Sequence, residues 1–170
     1  MNDETRTARF EYVPHWKLDN PENDAAVLAF WKSENALAND AQAQERLKQV
    51  VMHARDASGA VAGVSTVASL THPRIGQPLY YFRCFIGKNW RKSLLVGHIL
   101  RRTRNLLEQY AQEHDFPCIG VILELENDRF KKVGWNPIWH SLGEFVYIGK
   151  SQRNLDLRVS YFRGARLKKA

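Results

Sequence analysis

The stretch Phe85-Ile-Gly-Lys-Asn-Trp-Arg-Lys-Ser-Leu-Leu-Val-Gly-His-Ile-Leu100 runs from a strand-like segment through Lys88, Arg91 and Lys92 into a helical pattern. A helix start exposes unpaired backbone N–H groups and carries partial positive charge, so a basic strand-to-helix junction can hold a phosphate. Phosphate loops generally use glycine there, because glycine lets the backbone approach the anion closely. This chain has Leu94, Leu95 and Val96 instead, which crowd the approach but keep their N–H groups. The bland alternative is a solvated basic segment that opens a core helix. Further on, Glu124 and Glu126 close an apolar run. A strand-end carboxylate can take the proton that an amine must lose before it attacks an acyl group; equally, the two can be alternating exposed glutamates. Arg83 interrupts an aromatic strand, where a buried guanidinium needs a carboxylate or an anionic ligand, and an exposed one simply reaches water. Tyr80, Tyr81, Trp139 and His140 are candidates to line an acceptor pocket, or parts of core and rim.

These residues need a scaffold, and the pattern supplies one. Residues 9–18 alternate as a strand that Pro14 marks as an edge or a break. Asn20-Pro21 is a helix start, with apolar positions Val27, Phe30, Trp31 and Ala38 giving a helix over 21–38, and Glu34 on the same face. A short helix follows from Asp40, its cap, to Lys48. Residues 50–55 and 61–67 flank Asp56-Ala-Ser-Gly59 as a hairpin. Residues 79–86 are an aromatic strand, and apolar spacing from Ser93 to His114 predicts the long helix. Strands over 117–125, 144–149 and 155–162 and a short helix over 126–133 complete a mixed sheet of the α/β or α+β type.

Composition narrows the class. The 170 residues are 44% hydrophobic and 25% charged, which suits one globular domain. No apolar run approaches the roughly 20 residues of a membrane span, and the polar N-terminus is no secretory signal, so a cytoplasmic location is expected. Cys84 and Cys118 are the only cysteines; neither has a ligand partner at zinc spacing, so no metal is expected and both read as small buried hydrophobes. The net charge of +7 favours anionic partners without choosing among them.

Taken in order, the hairpin Asp56 to Gly63, the junction Ile86 to Arg91, Leu123-Glu124-Leu125, Asn127 and Phe130-Lys-Lys-Val-Gly134-Trp135 resemble the GNAT (GCN5-related N-acetyltransferase) superfamily over residues 49–138. The resemblance implies a single domain, residues 1–170, on a mixed and mostly antiparallel sheet of about six to seven strands with about four helices. It implies acetyl-CoA or another acyl-CoA as cofactor and an amine on a small molecule or protein as acceptor. The backbone of Phe85, Ile86 and Gly87 would bond the pantetheine arm, and Arg91, Lys92, Ser93, Leu94, Leu95, Val96 and Gly97 would surround the pyrophosphate. With the register set on Arg91, the family's glycine positions fall on Leu94 and Val96, and Gly97 comes one residue late. Asn127 and Phe130 also match cofactor-side positions. Glu124 matches the glutamate thought to deprotonate the amine, and Tyr81 and Arg83 stand on the acceptor side. Phe130 replaces the family's frequent tyrosine and cannot donate a proton to the leaving thiolate, so the thiolate leaves unassisted or Tyr80, Tyr81 or Tyr147 substitutes.

The competing expectation is a GNAT-like binding module without catalysis. In one version Arg101, Arg102 and Arg104, with Arg163, Arg166, Lys168 and Lys169, meet nucleic-acid phosphates. Arg101 and Arg104 share a helical face and Arg102 is turned away, with no RNA-binding signature beside them.

Overall fold

The computed structural model of the chain describes residues 10–126 and 135–169. Its order is β1 (Glu11–Pro14), α1 (Pro21–Ser33), α2 (Asp40–Leu47), β2 (Val50–Arg55), β3 (Val61–Thr71), β4 (Pro78–Ile86), α3 (Leu95–Glu113), β5 (Gly120–Leu125), β6 (Ile138–Trp139), β7 (Phe145–Lys150) and β8 (Asp156–Tyr161). The eight strands form one sheet in the order β1-β2-β3-β4-β5-β8-β7-β6. Its β4–β5 pair is parallel, whereas β1–β2, β2–β3, β5–β8, β7–β8 and β6–β7 are antiparallel. The mixed, mostly antiparallel sheet is thus as expected, with one strand more: β6 has only two residues, too short for a period-2 pattern to show. Three α-helices lie among the described residues; the helix expected over 126–133 falls almost wholly outside them.

The chain divides into two compact units, Met1–Thr66 with Cys84–Ile99, and Val67–Arg83 with Leu100–Ala170. In the first, Asn20 caps α1 by accepting from the Asn23 N–H at 3.1 Å. The helix ends at Ser33, not at residue 38, because Asn35 turns left-handed (φ +50°) and the Ala36 N–H folds back to the Trp31 carbonyl. The cap of α2 is Asn39, whose side chain accepts from the Gln42 N–H at 2.9 Å, and not Asp40. Val27, Phe30 and Trp31 of α1 pack with Val50 and Val64 of β2 and β3. Beside them, Leu95 and Ile99 of α3 close on Ala54 and Ala62.

The Asp56–Gly59 turn is built as expected: Asp56 Oδ1 accepts from the Ser58 and Ala60 N–H groups, and Gly59 takes φ +85°. In the second unit Leu79, Ile119, Ile122, Leu157 and Val159 form the core, with Tyr81 and Ile148 against it. Cys118 is fully buried, whereas Cys84 is partly exposed as a residue. Burial pushes the Cys84 thiol up to about 12, so it carries no thiolate at neutral pH.

Candidate functional site

The basic junction belongs to the first unit. After β4 the chain makes one turn of 3-10 helix over Lys88–Trp90 and a bend before α3 begins at Leu95. Gly87 holds that junction against α1: a Cβ there would stand 3.1 Å from the Phe30 ring and 3.3 Å from Glu34 Oε1. Glu34 is therefore not part of an apolar helix face. It caps α1 and accepts from the Lys88 N–H at 3.1 Å.

The backbone donors at the start of α3 are partly committed. The Ser93 hydroxyl donates to the Trp90 carbonyl at 2.6 Å and accepts from the Leu95 N–H at 3.2 Å. The Gly97 and His98 N–H groups reach the Leu94 carbonyl. Val96 is left as the first-turn N–H without an acceptor among the described residues. The Leu94 side chain is 80% exposed and Leu95 is buried. Val96, at the other glycine position, is half-buried, and all three residues keep their backbone N–H groups.

Lys88, Arg91 and Lys92 are all exposed around this turn. Arg91 lies back along the end of β4, with Nε 3.3 Å from the Ile86 carbonyl and its guanidinium 5.8 Å from the Phe85 ring centre. A first-turn N–H without an acceptor among the described residues and three exposed basic side chains fit a pyrophosphate. Asn127 and Phe130, expected on the cofactor side, lie outside the described residues.

The candidate base belongs to the second unit. Tyr81 and Arg83 lie two apart on β4, and Ile122 and Glu124 two apart on β5. Because Tyr81 is opposite Ile122, all four share one sheet face. The strand register places Tyr80 opposite Val121 and Tyr81 opposite Ile122, while β4 continues to Ile86 and β5 to Leu125.

Glu124 does not stand alone. Arg153 bonds Glu124 Oε2 through both Nε, at 3.0 Å, and Nη2, and Nη2 also reaches Glu126 Oε1 at 2.9 Å and the Tyr81 hydroxyl at 3.5 Å. All the bonds to Glu124 fall on Oε2, so Oε1 keeps its lone pairs free among the described residues. The Glu124 side chain is 15% exposed and that of Arg153 56%. Arg153 is held on the β7–β8 turn by Ser151, whose Oγ accepts from the Arg153 and Leu155 N–H groups while its N–H meets the Leu155 carbonyl. Arg83 is exposed, its guanidinium 4.9 Å from the Tyr81 ring centre. It is the exposed arginine of the two sequence alternatives. Burial, and then the nearby Glu124 charge, raise the Tyr81 hydroxyl above its ordinary value, so it stays protonated.

Arg153 was not visible as a site residue in the sequence. The signal is indirect: β8 pairs antiparallel with β5, setting Leu125 opposite Asp156 and so bringing the 151–155 turn beside Glu124. Of the other candidates, Tyr80 and Trp139 are core, His140 is exposed, and Tyr147 is 41% exposed. Arg158 is buried, 1% exposed, with its guanidinium 4.0 Å from the Trp139 ring centre and donating to the Asn136 and Pro137 carbonyls. The proposed cationic helix face also changes. Arg104 is internal: it chelates Glu108 with both Nη atoms at 2.6 and 2.8 Å and donates to Ser160 Oγ and the Tyr161 carbonyl. It is not available to a phosphate backbone. Among the described residues no cluster of three or more His, Cys, Asp or Glu is arranged to hold a metal ion, and no helix is long and apolar enough to cross a membrane.

No protein-family model matches this chain, and no curated protein matches it. Solved structures do. An acetyltransferase of the GNAT family from Streptococcus pneumoniae aligns with TM-score 0.54 at 15% identity, over 89% of this chain and 96% of that one. The ribosomal-protein-S5-alanine acetyltransferase of Vibrio fischeri aligns with TM-score 0.61 at 9% identity, over 92% and 95%. An N-acyl amino acid synthase from uncultured soil microbes gives 0.56 at 10% identity, over 94% of each chain. With TM-scores of 0.54 and 0.61 over about nine-tenths of its length, the chain has the fold of the GNAT acetyltransferases.

Proposed function

We propose that the chain is an acyl-CoA-dependent N-acyltransferase, a single domain over residues 1–170, working in the cytoplasm on an amine of a small molecule or protein. The observation that carries this reading is the junction at the head of α3. There the Val96 N–H is free of acceptors among the described residues, and the exposed Lys88, Arg91 and Lys92 supply charge. Two acetyltransferases and an N-acyl amino acid synthase of the same fold support it.

In this reading the Val96 N–H, Arg91 and Lys92 hold the pyrophosphate, and the backbone of Phe85–Gly87 holds the pantetheine arm once Arg91 leaves the Ile86 carbonyl. Bound acyl-CoA supplies an activated thioester carbonyl. Glu124 takes the amine proton on Oε1, directly or through water, as the N–C bond forms and the C–S bond breaks. Tyr81, kept protonated and on the Glu124 face, would be the residue to supply a proton to the leaving thiolate, since Phe130 cannot. The phenolate recovers a proton from solvent, and Glu124 releases its own.

Calorimetry and thermal shift with CoA test the reading. Binding to the folded state alone should stabilise it by about 2.7 kcal/mol at a hundredfold excess over Kd. No response at millimolar CoA would overturn it and favour the non-catalytic module.

A further inference from the structure

We propose that the acceptor is an amine that carries a carboxylate close to its nitrogen, as an amino acid does, and that Arg153 and Arg83 read that carboxylate. This rests on the acyltransferase reading and narrows it to a substrate class. Two cations flank one tyrosine: Arg153 meets the Tyr81 hydroxyl, and Arg83 lies against the face of its ring. Their charges are balanced differently. Arg153 is paired with Glu124 and Glu126 through Nε and Nη2, and its Nη1 makes no bond among the described residues. Arg83 has no hydrogen bond or ion pair at all among them.

An arginine carries five N–H donors in a planar fork that matches a carboxylate. The half-exposed fork of Arg153 thus offers unused donors beside a carboxylate, Glu124, that still has one oxygen free. An amino acid is complementary to this arrangement. Its carboxylate meets the unused donors of Arg153 and the uncompensated charge of Arg83, and its amine lies next to Glu124 Oε1. An amine without the carboxylate finds only the base.

The Ser151-anchored turn matters here, because it fixes the backbone from which Arg153 projects and limits what ordering the fork costs when a ligand binds. Arg153 is thus a positioning and specificity residue, and Glu124 the group that meets the reacting nitrogen.

The test uses matched pairs, L-phenylalanine with L-phenylalaninamide and L-glutamate with its α-amide, in two measurements on the full chain. The first is turnover with acetyl-CoA, read as the kcat/KM ratio of acid over amide. It should favour the acid by on the order of tenfold or more, the weight of a charge-assisted contact. The ratio should collapse towards one in Arg153→Gln and in Arg83→Gln, and recover in part in Arg153→Lys. A role of Arg153 that is merely structural lowers both substrates and leaves the ratio alone. The second is independent of turnover: the 15N resonance of the Arg153 Nε–H should move when L-phenylalanine is added and stay when the amide is. Equal ratios in the wild type together with an unmoved Arg153 resonance overturn the inference, even if CoA binds and simple amines are acylated. Failure of CoA to bind overturns the acyltransferase reading instead, and the resonance shift still decides the carboxylate site by itself.

Discussion

Lowering the pH from 7 to 5 should cost the fold about 2 kcal/mol through His53 alone. His53 is fully buried in β2, where Arg55 Nε donates to its Nε2 at 3.1 Å and its Nδ1 lies 2.7 Å from His15 Nε2. Because Arg55 is always a donor, Nε2 of His53 must accept, so its proton sits on Nδ1 and is donated to His15. His15 then carries its own proton on Nδ1, which faces Asp24 Oδ1 at 3.5 Å. Both rings are neutral in this chain, and it ties β2, the residue after β1, and α1 together. A further proton on His53 would have to displace the Arg55 bond and sit between a cation and a second imidazole.

Burial, then His15, then Arg55 lower His53 from 6.5 to about 3; burial also lowers His15, against the pull of Asp24. The unfolded chain binds the proton near 6.5 and the folded chain does not until about 3. Stability is therefore complete above the higher value and falls with pH through that window, by about 1.4 kcal/mol per unit for one proton. The drop from pH 7 to 5 amounts to about 2 kcal/mol, or about 4–8 °C in Tm for a chain of this size. Urea melts at pH 7, 6 and 5 measure it, and His53→Gln should flatten the slope by one proton. The imidazole resonances of the wild type provide a second reading that needs no variant: an imidazole of His53 that titrates near 6.5 would refute the proton chain and the magnitude with it.

Three further outcomes are expected. Arg91→Ala should weaken CoA by about 1–3 kcal/mol in calorimetry, as the loss of a charge-assisted phosphate contact does, and an unchanged affinity would mean that the anion lies elsewhere. Glu124→Gln should reduce turnover of an active acceptor by about 10²–10⁴-fold while CoA binding persists; wild-type turnover would remove Glu124 as base. Asn39→Ala should destabilise the chain by about 1 kcal/mol in urea melts and Asp40→Ala by less, since the side-chain bond to the start of α2 comes from Asn39.

Local patterning by itself determined much of this protein. The 3.6-residue period marked α3 to within two residues at its start, Asn20-Pro21 marked the start of α1, and Asp56-Ala-Ser-Gly59 marked the hairpin. Each of these rests on neighbours in the chain, where a side chain and the backbone it bonds lie within a few residues of each other. Glu124 stood out as a candidate base through the family resemblance, and period 2 tells only which strand face it shares with Ile122. Boundaries set by backbone conformation were less legible: Asn35 takes φ +50° and ends α1 five residues before its apolar pattern does.

Only the tertiary structure decided what each charge touches. Arg83, Arg104, Arg153 and Arg158 are chemically identical in the sequence. One lies exposed on a tyrosine ring, one chelates Glu108 inside, one holds Glu124, and one is buried against Trp139. Arg83 and Arg104 also have partners two and four residues away, but those of Arg153 and Arg158 depend on the pairing of β5 with β8 and of β7 with β8, and Arg153 lies 29 positions from Glu124. A guanidinium on a long flexible stem finds whichever acceptor the sheet register brings near, and no local pattern encodes that register.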